Sequence, residues 1–337
     1  MRSPMFKRSQ RLMTLKAARI GTPHFGIAVG ILAYANLWSL IASTFDSGHL
    51  FAKGIAAIGI LVWLCLIVAF TQRWNATIST LRIERGHPVA LHLAALIPLS
   101  ALLAALTAKQ YIGELADTFL MCTLVLQLVI GQSILGKFWR GGRSAEQLTA
   151  VVYLPAVSLN FVSATACAAL GWNELAYLFF GAGIFSWLAI ESMVLTRATQ
   201  SSAIPSAERP LLGVQMAPPA VAGVSYLHIT GGYPDPFAYL LLGYALYQAA
   251  LAIQLLPWVT KQPFTPAYWS YSFGSVSISV LCLKMWIQTA TPLMAAMAVV
   301  TTVLTSVLML VLVVKTAVAV YGSTNSAAKQ RLTDESA

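Results

Sequence analysis

From residue 23 onward the chain repeats one pattern, an apolar run followed by a short polar break. The runs sit at 23–44, 52–72, 88–108, 113–136, 150–171, 174–196, 210–230, 236–258, 266–289 and 292–320. A helix of about 20 residues crosses the ~30 Å hydrocarbon core of a bilayer. In lipid the backbone must bond to itself, which selects helices for runs of this length. The pattern therefore predicts an all-α integral membrane protein with ten transmembrane helices. A basic N-terminal arm occupies 1–21, the membrane domain 22–321 and a polar C-terminal tail 322–337. The breaks leave no room for a separate soluble domain.

Helix-breaking residues divide the runs into two kinds. The odd runs carry Gly26 and Gly30, then Pro98, Pro155, Pro218 with Pro219, and Gly274. The even runs keep proline at their ends, as at Pro257 and Pro292. An interior proline removes a donor and frees a carbonyl, which in lipid must be satisfied by protein or water. Odd helices are thus expected inside and even helices outside. The sixth run, with Gly181 and Gly183, is the exception, and its glycines suit close helix packing. The odd runs start at 23, 88, 150, 210 and 266, in steps of 65, 62, 60 and 56 residues. Such spacing reads as five successive helical hairpins. Five inner helices could enclose a central pore; the alternative is a ten-helix bundle with incidental kinks.

Composition agrees with this class. The chain is 58% hydrophobic and 9% charged, against about 25% charged in soluble domains. Its net charge of +10 gains meaning from its distribution. Arg2, Lys7, Arg8, Arg11, Lys16 and Arg19 precede the first run. Arg73, Arg82, Arg85, Lys137, Arg140, Arg143, Arg197, Arg209 and Lys261 follow even runs, and Lys315, Lys329 and Arg331 close the chain. Only Lys53, Lys109 and Lys284 fall on the other side. The positive-inside rule places both termini in the cytoplasm. The basic excess reads as a topology signal with some attraction to anionic lipid, and not as a nucleic-acid footprint. Cys65, Cys122, Cys167 and Cys282 all lie in apolar runs without a CxxC pair and read as small buried residues. No cluster of His, Cys and carboxylates suggests a metal, a cofactor or an enzyme.

The odd runs contain no Asp or Glu, and Lys109 and Lys284 lie at their far ends. An acidic ring for selecting cations is absent, as are the carboxylate relays of many proton-coupled transporters. A neutral pore would favour ions that lose water cheaply. His24 and His92 read as packing or interfacial groups. Glu191, near the end of the sixth run, could pair with a basic loop residue or snorkel. Asn160 could line the pore or bond a freed carbonyl of a neighbouring helix.

The ninth run holds AYWSYSFGSVSIS, residues 267–279. At 100° per residue, Ser270, Phe273, Gly274 and Ser277 share one stripe, while Ser272, Ser275 and Ser279 fall opposite. One aromatic side chain framed by small groups suits a hydrophobic constriction, with Gly274 leaving it room to move. A phenylalanine packed in a helix groove is the other reading.

Several segments carry a resemblance: HFGIAVG (24–30), VVYLPAVSLNFVSA (151–164), YLFFGAGIFSWLAIE (177–191), LGVQMAPPAVAGVSYL (212–227), LLPW (255–258) and YWSYSFG (268–274). They resemble the tellurite-resistance/dicarboxylate transporter family, which includes the slow-type anion channels of plant guard cells. The resemblance implies ten helices in five hairpins with the odd helices around a pore. It implies a homotrimer with one pore per subunit in a bacterial cytoplasmic (inner) membrane. It also places a pore-blocking phenylalanine at Phe273, and family kinks at Gly26, Gly30, Pro98, Pro155 and Pro218. Gln254 stands where relatives tend to have arginine, and Ser192 where they often have proline. The expected function is an anion channel passing small inorganic or organic anions, linked to tellurite resistance. The alternative is a proton-coupled secondary transporter or exporter of tellurite, sulfite or C4-dicarboxylates.

Overall fold

The computed structural model describes residues 21–76, 88–141 and 148–335. Arg2, Lys7, Arg8, Arg11, Lys16, Arg19, Arg82, Arg85 and Arg143 lie outside the described residues. The helices are α1 (Phe25–Phe45), α2 (His49–Ala76), α3 (Leu96–Ile112), α4 (Glu114–Trp139) and α5 (Leu159–Ala169), followed by α6 (Asn173–Gln200), α7 (Ala217–Ile229), α8 (Pro236–Val259), α9 (Ser270–Thr289) and α10 (Pro292–Glu335). Among the described residues, nine helical segments are long and apolar enough to cross a membrane. The predicted run at 210–230 is not among them. Its α-helical part, α7, has 13 residues and follows an 11-residue 3-10 stretch, Ser206–Met216. Pro210, Pro218 and Pro219 explain the break, since each lacks the donor that a continuous α-helix needs. At the other end of the chain, α10 continues as one helix to Glu335, beyond the expected start of the tail.

Every odd helix is entered through irregular backbone. Thr22–His24 is a 3-10 turn before α1, and Pro88–Leu93 is a short helix before α3. Ala150–Val152 forms a 3-10 turn and Leu154–Ser158 a π turn before α5. Pro266–Trp269 forms a 3-10 turn before α9. Non-helical backbone at membrane depth survives only where protein or a cavity covers it, and these entries are mostly buried.

The packing shows what covers them. α1 packs on α3, α3 on α5, α5 on α7, α7 on α9, and α9 returns to α1. Each even helix packs chiefly against the odd segment before it in the chain. Between 61 and 89% of the residues in the apolar windows of α1, α3, α5 and α9 are buried, against 22–33% in those of the even helices. The exposed faces of the even helices carry Leu61, Val125, Phe185, Leu240 and Leu310, which suits contact with acyl chains. Cys65 and Cys122 lie exposed on α2 and α4, contrary to the expectation of burial, while Cys167 and Cys282 are buried. Gly183 meets the expectation of close packing: a Cβ there would stand 2.6 Å from the Phe161 side chain. Gly181 has open space instead.

Polar contacts tie successive helices together near their connections. Lys109 pairs with Asp117 across the turn between α3 and α4. Asp235 caps α8, its Oδ1 accepting from the Ala238 N–H at 3.0 Å. The Tyr226 hydroxyl donates to its other oxygen. The tyrosine first and the backbone donor second hold the Asp235 carboxyl below its ordinary range.

Candidate pore and gate

The bends arise where sequence removes donors. Pro98 lacks the N–H that would reach the Ala94 carbonyl. The Ile97 N–H takes that carbonyl at 3.2 Å instead, and the helix restarts with Leu99 N–H on Ala95 O at 3.1 Å. Pro155 sits inside the π turn. Asn160 Nδ2 donates to the Ala156 carbonyl at 2.6 Å, so Asn160 bonds its own bent segment and no neighbouring helix. Pro218 and Pro219 stand in the first turn of α7, where the donor they lack has no intrahelical partner anyway. The Pro210 carbonyl of the 3-10 stretch accepts from Ser270 Oγ at 2.6 Å.

Beside these bends, odd segments carry stripes of residues at spacings of three and four. On α9 the stripe is Ser270, Phe273, Ser277, Val280 and Lys284. On α1 it is Gly26, Val29, Ala33, Asn36 and Leu40. On the seventh segment it is Val214, Ala217, Val221, Val224 and His228. Two cavities lie along these stripes. The smaller, with room for about 40 Å³ of solvent, is lined by the N-terminal ends of all five odd segments and is almost wholly apolar. The larger, with room for about 270 Å³, is lined by their C-terminal portions. Phe273 lines both, and among the described residues no other does. Its side chain is 8% exposed.

The remaining expected site residues fall into two groups. Gly26, Ser270 and Ser277 line a cavity; Gly30, Pro98, Pro155, Pro218 and Gly274 do not. A Cβ on Gly30 would stand 2.2 Å from Ser272 Oγ and 2.9 Å from the Trp269 ring. On Gly274 it would stand 2.8 Å from Met216 Cβ and 3.1 Å from the Ala217 backbone nitrogen. Gly274 therefore does not give Phe273 room, and α9 continues unbroken through it; it lets α9 approach the backbone where the seventh segment turns from 3-10 to α. Gly274→Val should destabilise the protein by about 1–3 kcal/mol through overpacking. Thermal unfolding in detergent measures this, and an unchanged midpoint would refute the close contact. Ser272 and Ser279 stand on the packed side. Ser272 Oγ donates to Trp269 O at 2.6 Å, and Ser279 Oγ lies 2.9 Å from Thr305 Oγ1 of α10.

Three features escaped the sequence reading. The first is Lys284, expected at the margin but placed on the cavity-lining stripe with His228 and Asn36. Eleven residues separate Phe273 from Lys284, which at 3.6 per turn is about 20° off the same stripe. That spacing was the available signal, and it corrects the expectation of a wholly neutral lining. The second is the surroundings of Glu191, which among the described residues is held by neutral donors and not by a basic one. Its Oε2 accepts from Tyr153 OH at 2.7 Å and Trp187 Nε1 at 2.9 Å. Its Oε1 accepts from Tyr244 OH at 2.6 Å, Gln215 Nε2 at 3.0 Å and Gln248 Nε2 at 3.1 Å. The third is Arg209, whose guanidinium sits 4.3 Å from the centroid of the Trp258 ring. A cation thus reaches the PW pair from the 3-10 stretch, while position 254 carries glutamine.

A family model described as SLAC1, voltage-dependent anion channel, matches residues 19–317. The tellurite resistance protein TehA homolog of Haemophilus influenzae is 29% identical over 259 residues, covering 77% of this chain and 79% of that protein. The S-type anion channel SLAH2 of Arabidopsis thaliana is 23% identical over 272 residues, 77% of this chain and 51% of its own. The guard cell S-type anion channel SLAC1 of the same plant is 23% identical over 273 residues, 77% of this chain and 48% of its own. The chain thus spans about half the length of these plant channels.

Proposed function

Because the chain belongs to the SLAC1 family of voltage-dependent anion channels, we propose that it is a membrane channel for small anions with Phe273 as its gate. In this reading the membrane domain makes ten crossings in five hairpins. The short α7 and the 3-10 stretch before it together supply the seventh crossing. The odd segments surround an axial path, and the two cavities are its two halves. One observation carries the proposal: among the described residues, Phe273 alone lines both cavities. An aromatic side chain at a narrow apolar level can close a pore by excluding water.

The pore belongs to one subunit of a homotrimer in the bacterial inner membrane, with both termini cytoplasmic. Reporter fusions near 48, 111 and 233 should score as external, and those near 142 and 205 as cytoplasmic. Two reversed sites would overturn this topology. Planar-bilayer recording of the purified protein tests the function. With opposing salt gradients, the reversal potential should follow the anion, and weakly hydrated anions should permeate best. A reversal potential that follows potassium would sink the proposal.

A second reading is proton-coupled export of tellurite, sulfite or a C4-dicarboxylate. It draws on the printed name of the Haemophilus relative and on Glu191 as an intramembrane carboxylate. Glu191 lines neither cavity, which favours the channel.

A further inference from the structure

We infer that the larger cavity holds a single small monovalent anion against the Lys284 ammonium, which makes this end of the path a charge-selecting vestibule. The inference rests on the channel reading and assigns it an ion site. Lys284 is half-buried on the cavity-lining stripe of α9. Among the described residues lining that cavity there is no carboxylate to balance it. A buried ammonium without a counter-charge is costly, and the cost falls when a paired anion supplies the charge.

The rest of the lining determines which anion fits. Leu40, Leu103, Val162 and Val221 make apolar walls that favour a weakly hydrated ion. Ser277 can turn its hydroxyl toward it, and Thr165 can do so by giving up the Phe161 carbonyl that it bonds at 3.3 Å. Asn36 adds an amide held 3.2 Å from the Thr107 hydroxyl. His228 shares the cavity, but its Nδ1 is tied to the Val224 carbonyl at 2.8 Å, and the site does not depend on its charge. One lysine matches one negative charge. A halide or nitrate meets these terms, whereas a dicarboxylate would leave its second charge facing apolar side chains.

Phe273→Ala channels in planar bilayers, with chloride as the probe, provide the background in which the site can be read. Their chloride conductance should saturate with concentration, as expected for an occupied site. At about 0.01 M salt, Lys284→Gln added to this background should lower the conductance about tenfold, the lower end of what local charge does to counter-ion concentration. The loss should be greatest for chloride entering from the Lys284 side, so the current rectifies. At about 1 M, where the screening length is only about 3 Å, the two channels should converge. Lys284→Arg should keep the low-salt conductance. Equal low-salt conductance with and without the lysine would overturn the site and leave the channel intact. If Lys284→Gln does not assemble, a conductance of the Phe273→Ala channel that rises linearly without saturating overturns it equally. Silent Phe273→Ala channels would instead remove the function on which the site rests.

Discussion

Phe273→Ala should convert a nearly silent protein into a conducting one while leaving folding and assembly close to those of the parent. The geometry makes the two outcomes separable. Phe273 borders empty space on both sides. Truncating it joins two existing cavities and does not dig a closed hole. A phenylalanine packed in a core typically costs about 3–5 kcal/mol when cut to alanine, because the surroundings cannot collapse. A cost well below that, together with a large current, is the signature of a gate. Phe273→Leu should lie between, since a smaller apolar plug leaks. The parent is expected to stay closed although an off-rotamer side chain costs only about 0.5–1.5 kcal/mol. Side chains of the other odd segments line both cavities beside it, so they must yield as it moves. The serines on the stripe should matter less. Ser270 Oγ is committed to the Pro210 carbonyl, and its removal should mainly loosen the contact between α9 and the 3-10 stretch. The gate falls if Phe273→Ala is well folded, correctly assembled and electrically identical to its parent. It falls equally if the variant unfolds and Phe273→Leu unfolds with it.

Legibility in the sequence followed the range of the interactions. Runs of apolar residues and the uneven distribution of proline made the inner and outer helices readable, because both reflect local chemistry in lipid. The stripe through Ser270, Phe273 and Ser277 was readable from helical period alone. Lys284 continues it and was read by its depth in the membrane instead of its azimuth. Gly274 misled for a related reason: periodicity gives the direction of a residue, not the object it faces, and here that object is the Met216–Ala217 backbone. The seventh segment was read as one helix because its apolar content is high. Pro210, Pro218 and Pro219 divide it, and their effect depends on which carbonyls a distant residue such as Ser270 can satisfy. Glu191 was least legible of all. Its partners Tyr153, Gln215, Tyr244 and Gln248 are 24 to 57 residues away, and no local pattern joins them.

That network carries the second large effect. Glu191→Ala should cost at least about 1–3 kcal/mol, the penalty for one stranded donor, and more because it strands several at once. Five donors from α6, α8 and the irregular entries to α5 and α7 converge on this carboxylate. Without it several are left unpaired, at about 1–3 kcal/mol each before relaxation. Glu191→Gln is the sharper test because it keeps the shape. Its amide offers one acceptor oxygen where the carboxylate has two. If that oxygen serves Tyr244, Gln215 and Gln248, the amide nitrogen faces Tyr153 and Trp187. The tyrosine hydroxyl can turn and accept, but the indole N–H can only donate. The isosteric change should therefore still cost about 1–3 kcal/mol, read as a lower unfolding midpoint in detergent. Conductance in the Phe273→Ala background should survive it, since Glu191 touches neither cavity. A stable, assembled Glu191→Gln protein that has lost a pH-dependent flux would point the other way. It would make this carboxylate a proton carrier and the protein a coupled transporter. Glu191→Ala with parental stability would show that the five donors find water or one another, and that the network does not hold these four elements together.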